Sequence, residues 1–201
     1  SAGILLYHNT FIAPVKPMLL AASNVHYRNN LILGQSGTPE IFAVETNTNY
    51  SSSDYNGFRP NPGGEFAFEW STPPLAMMMN FPGEAGIAGT VAPLSTRAQS
   101  DLESQAREVR RYPDLASYSA GSGQDTHSVL LDYDTFVNVQ LPGPDPRTLY
   151  KPEDFDFGLA DGSPAVDAGI PLPGINDDMT GAAPDLGAWE RGLPATHYGP
   201  R

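Results

Sequence analysis

Tyr7-His8-Asn9-Thr10-Phe11-Ile12, Arg28-Asn29-Asn30-Leu31-Ile32-Leu33 and Asp54-Tyr55-Asn56-Gly57-Phe58 repeat one pattern: a polar corner with asparagine, then a short apolar run. The asparagines are 30 − 9 = 21 and 56 − 30 = 26 residues apart. A period near twenty, with one short strand and one corner per unit, predicts a solenoid. Stacked at the strand spacing, equivalent Asn amides can bond to one another and to the backbone of a tight bend. Asn9, Asn30 and Asn56 are therefore expected to form a ladder.

Around these corners the alternation is that of strands. Asn24-Val25-His26-Tyr27-Arg28 alternates apolar with polar, and Ile4-Leu5-Leu6, Leu31-Ile32-Leu33 and Ile41-Phe42-Ala43-Val44 are short apolar runs. Residues 1–58 read as coils and 59–125 as an excursion, rich in Pro and Gly at first and holding Met77-Met78-Met79. Residues 126–201 read as last coils and a loop-rich closing segment, all within a single domain 1–201. A helix is expected over 96–112: Thr96 and Gln99 make a capping box, and Ala98, Leu102, Ala106 and Val109 an apolar stripe. Arg107, Arg110 and Arg111 would face its C-terminal dipole before Pro113 stops it.

Composition sets further bounds. The 201 residues include 20 Gly and 20 Pro, a turn-rich balance, and no Cys, which excludes disulfide and thiolate chemistry. A net charge of −12 argues against nucleic acid and anionic membranes as partners, and against polyanionic glycans without Ca²⁺ or a local basic patch. No apolar run approaches a membrane span. Ser1-Ala2-Gly3-Ile4-Leu5-Leu6 reads as the middle of a strand rather than a signal peptide, so a partner for that end is expected: an upstream part of the same protein, or another chain.

Beyond the asparagine corners, Gly123-Gln124-Asp125-Thr126-His127-Ser128, Gly162-Ser163-Pro164-Ala165-Val166-Asp167-Ala168-Gly169 and Pro184-Asp185-Leu186-Gly187-Ala188-Trp189-Glu190 complete a family resemblance. With the corners they resemble the C-terminal portion of secreted bacterial right-handed parallel β-helix proteins of the pectate- and alginate-lyase type. The resemblance spans most of the chain outside about residues 60–115. It implies an all-β parallel β-helix with one flanking helix, export or a cell-surface or periplasmic site, a polysaccharide-facing groove, and often Ca²⁺. The same ending occurs in non-catalytic proteins, so a structural or interaction subunit is the other expectation.

An enzyme of this type would be a polysaccharide lyase or glycoside hydrolase. A uronate lyase needs a base and a cation to neutralise the carboxylate. The resemblance implies a Lys or Arg base on central coils, which would precede Ser1; the two lysines here, Lys16 and Lys151, lie beside prolines outside any recognisable catalytic motif. Aligning Asn9 with Asn30 sets Tyr7 level with Arg28, and His26 lies two residues before Arg28. Tyr7, His26 and Arg28 thus share one face. They either bind a sugar carboxylate or are polar residues of a solvated sheet. Asp177 and Asp178 either wrap a cation such as Ca²⁺ or cap turns. Ser128 beside His127 is no triad, because neighbours on a strand face opposite ways.

Overall fold

A computed structural model describes residues 3–12, 18–22, 24–35, 40–46, 50–72, 108–145 and 147–194. The strands are β1 (Ile4–Tyr7), β2 (Thr10–Ile12), β3 (Met18–Ala22), β4 (Val25–Arg28), β5 (Leu31–Leu33), β6 (Phe42–Thr46), β7 (Ser52–Asp54), β8 (Gly57–Arg59) and β9 (Phe68–Thr72). Then follow β10 (Glu108–Tyr112), helix α1 (Leu115–Ser122), β11 (Val129–Leu130), β12 (Phe136–Asn138) and β13 (Asp156–Leu159).

Among the described residues these strands make four small sheets: β1-β4-β7, β2-β5-β8-β11, β3-β6-β9-β10, and the pair β12-β13. The first two are parallel throughout; β10 returns antiparallel on β9, and β13 antiparallel on β12. The expectation of an all-β right-handed parallel β-helix is thereby corrected to small mixed sheets with one short helix. Parallel pairing is not sustained: the chain reverses at β10 and again at β12-β13, and beyond Leu159 the described residues run as turns.

The helix expected over 96–112 is corrected at its C-terminal end. Residues 108–112 are strand, while 96–107, like Met77-Met78-Met79, lie outside the described residues. Pairing overrides the helical stripe. Val109 faces Ser71, Arg110 faces Trp70, and the Arg111 guanidinium meets the buried Glu69 carboxylate at 2.8 Å. Among the described residues a helix comes after Pro113. Asp114 accepts the Ser117 amide at 2.8 Å as N-cap, and Gly123, at φ 71°, closes the other end.

The corners explain the first two sheets. His8, Asn29 and Tyr55 sit at φ 53°, 58° and 56°, a left-handed bend of the kind asparagine tolerates. Each is followed by Asn9, Asn30 or Asn56. The Asn9 side-chain amide donates to Asn30 Oδ1 at 3.0 Å, and that of Asn30 to Asn56 Oδ1 at 2.9 Å. The backbone N–H groups of Asn9 and Asn30 donate to the same two oxygens, both at 3.0 Å. Asn56 passes the series to different residues: its amide donates to Asp125 Oδ1 at 2.9 Å and its N–H to Ser128 Oγ at 2.7 Å.

Between the sheets lies a core of Val25, Tyr27, Ile32, Phe42, Val44, Phe58, Phe68 and Trp70, with Tyr118 of α1 stacked on Phe68 at 4.9 Å. β5 is buried on both faces: Ile32 points into this core, while Leu31 and Leu33 pack outward against Tyr133, Phe136, Leu159, Ala165 and Leu186. That is why its three residues are all apolar. The closing segment holds its place by polar contacts too. Asn29 donates to Ile170 O and accepts from Ile170 N, and Gly187 N donates to Asn29 O at 2.7 Å. Gly187 has φ 92°, and a Cβ there would meet Leu31 Cδ1 and Thr10 Oγ1 at 2.7 Å.

Candidate functional site

The exposed face of β1-β4-β7 carries the candidate site. Strand alternation sends Val25 and Tyr27 inward and His26 and Arg28 outward, each half-buried. The register aligns Tyr7 with Arg28 and Arg28 with Asp54; Leu5 aligns with His26, and His26 with Ser52. Tyr7, His26 and Arg28 therefore share one face, and β7 adds Ser52 and Asp54 to it.

Ser52 is a residue that the sequence alone does not single out. Its hydroxyl lies 2.8 Å from His26 Nδ1 and accepts from Arg28 Nη2 at 2.9 Å. Arg28 Nη1 donates to Tyr27 O at 2.6 Å, which fixes the guanidinium along the strand. Burial, and then the Arg28 charge, hold the His26 imidazole below its ordinary pKa of 6.5, so it is neutral at neutral pH. The signal for Ser52 was its distance of 26 residues from His26, the same step that separates Asn30 from Asn56.

A second pair borders the first. His127 donates its backbone N–H to Asp54 Oδ1 and sets Nδ1 against Oδ2, both at 2.8 Å. Its ring stacks on Tyr55 with centroids 4.7 Å apart. Ser128, on the other side, donates to Asp125 Oδ1 at 2.6 Å and serves the corner series rather than His127.

His8 is a structural neighbour of the face, not a member of it. Nδ1 donates to Gly187 O at 3.2 Å, and Nε2 accepts from Asn29 and Asn176 at 3.0 and 2.9 Å. Burial lowers its pKa, against the opposing pull of the Gly187 carbonyl and two acidic neighbours. The unfolded chain, with the ordinary value of about 6.5, binds a proton first as pH falls. Stability carried by neutral His8 is thus complete above pH 6.5 and drains as pH falls toward the lower folded value. Urea melts at pH 7.5 and 5.5 should show the wild type losing more stability than His8→Gln; equal losses would contradict this.

Asp177 and Asp178 are exposed and lie 177 − 159 = 18 and 178 − 159 = 19 residues beyond the end of β13. Both carboxylate oxygens of Asp177 lie 2.9 Å from Gly174 N, which they accept as a turn cap. Among the described residues no group of three or more His, Cys, Asp or Glu is placed to hold a metal ion. Asp185 and Asp167 serve backbone as well: Asp185 accepts the N–H of Asp167 and of Arg191, and Asp167 accepts those of Ala182 and Ala183.

Comparison of the chain with protein-family models, with curated proteins and with solved structures finds no match. Among the described residues no helix is long and apolar enough to cross a membrane.

Proposed function

We propose that the outer face of β1-β4-β7 recognises an acidic polysaccharide outside the cell, with Arg28 holding a sugar carboxylate. One observation carries this reading. Arg59, Arg111, Arg147 and Arg191 each reach a carboxylate, whereas Arg28 bonds only to a carbonyl and a hydroxyl among the described residues. A half-buried guanidinium with only neutral partners suits a carboxylate ligand, which its planar fork matches. Tyr7 and the exposed Leu5 flank it and offer apolar surface to a sugar ring. On a chain of net charge −12, one such cation gives local attraction without a broad basic surface.

Binding is tested by titrating the protein with alginate, polygalacturonate and a neutral dextran. The carboxylated polymers are expected to bind and dextran not. Arg28→Gln should weaken binding by about 10- to 100-fold, the loss of one charge-assisted pair. Equal affinity of the variant, or no binding of either acidic polymer, would remove the proposal. Depolymerisation is followed in the same mixtures by absorbance of unsaturated products.

A further inference from the structure

We infer that Ser52 and His26 form a nucleophile–base pair for acyl transfer, acting on carboxylic esters carried by the polymer or on small acyl esters. Chemistry fixes the direction of one hydrogen bond. Arg28 can only donate, so Ser52 Oγ accepts from Nη2 at 2.9 Å. The hydroxyl keeps its own proton to donate, and His26 Nδ1 stands 2.8 Å away, the roles of the two atoms being set by the imidazole tautomer. The inferred pair uses the tautomer with its proton on Nε2, whose Nδ1 lone pair faces the serine. An activated hydroxyl requires a base within hydrogen-bond reach, which His26 is, and Arg28 holds the serine in place.

Arg28 has two effects here. Its charge beside Oγ favours the alkoxide, and together with burial it keeps His26 unprotonated and ready to accept. In the first step Ser52 Oγ bonds to the ester carbonyl carbon while its proton moves to Nδ1. The ester C–O bond breaks and the departing alkoxide takes that proton, leaving acyl-Ser52 and neutral His26. Water then attacks the acyl carbon and gives a proton to Nδ1, which returns it to Oγ as the carboxylic acid leaves. Oxidation states do not change, and water is the sole co-reactant. Ser52 and His26 are half-buried on an open face, so an ester on a long polymer reaches them without entering a cavity.

The inference shares a face with the glycan proposal but does not depend on it, because a small probe suffices. The full chain is treated with a fluorophosphonate, and intact mass with peptide mapping locates the adduct. One adduct on Ser52 is expected, absent in Ser52→Ala. His26→Gln, which keeps a polar side chain but no base, should slow labelling at least about 100-fold. The labelling rate should also rise with pH through a midpoint below 6.5. Circular dichroism confirms that both variants are folded; should either fail, the wild-type adduct position and pH profile decide alone. No adduct, an adduct elsewhere, or wild-type labelling of His26→Gln would overturn the inference. Glycan binding is measured separately on the wild type, so each proposal stands or falls by its own readout.

Discussion

Replacing Asn30 with Leu is expected to lower the thermal midpoint by about 6–12 °C, which corresponds to roughly 3 kcal/mol in a chain of this size. Asn30 is fully buried, and its side chain makes four hydrogen bonds. It accepts the backbone and side-chain N–H of Asn9 and donates to Leu6 O and Asn56 Oδ1. Leucine matches the volume but removes all four bonds: Asn9 N and Leu6 O lose this partner, and Asn56 Oδ1, buried, keeps only the backbone N–H of residue 30. The penalty of a buried unmade bond exceeds the net gain of making one. Asn9→Leu should show a smaller shift, because Asn9 is half-buried and its amide serves only Tyr7 O and Asn30. Midpoints of Asn30→Leu and wild type within two or so degrees would show that the corners are held by packing alone.

The second large effect concerns Asp125, where the amide series ends on a carboxylate. Asp125→Ala is expected to lose about 3 kcal/mol, since Asn56 Nδ2 and Ser128 Oγ both lose a buried acceptor. Asp125→Asn should instead match or exceed wild-type stability at pH 7. Its oxygen keeps both bonds, and a buried charge disappears. Burial pushes the Asp125 carboxyl above its ordinary 3.8, against the hydrogen bonds from Ser128, Asn56 and Ser53. The neighbouring Tyr27 and Tyr118 hydroxyls are held protonated by burial and by the same negative charge. A raised folded pKa means stability is complete below 3.8 and is lost as pH rises through the folded value. The advantage of Asn over Asp should therefore grow between pH 4 and pH 7. Denaturant midpoints of the two proteins across that range test it; an advantage that shrinks with pH would show that the charge is favourably placed.

What could be read from the chain was local. The apolar runs of β1, β2, β4 and β5 stand out, and the step from Asn9 to Asn30 already aligns Tyr7 with Arg28, as the register does. Longer-range order was not legible. The corner series ends on Asp125 and Ser128, neither of them asparagine, 69 and 72 residues from Asn56, so no spacing could point to them. β10 holds Val109, the last residue of the helical stripe, and its pairing with β9, with Arg111 on Glu69, makes it a strand. The parallel β-helix was inferred from a repeat that fits three corners, and three corners do not reveal where the chain will reverse. At the site, Tyr7, His26 and Arg28 announced themselves by type. Ser52, in a run of three serines, could be singled out only by its register against His26.

The closing segment ties His8 to Gly187 and Asn29 to Ile170, contacts spanning 179 and 141 residues. During synthesis, β2 and β5 leave the ribosome long before the Leu186 and Gly187 that will cover them. Leu31 and Leu33 then stay wet, and the Asn29 bend is held on one side only. Such distant closure slows folding and leaves a greasy surface open in the meantime. Cooperativity between the early strands and the closing segment is thus gained only after residues 165–187 have been made.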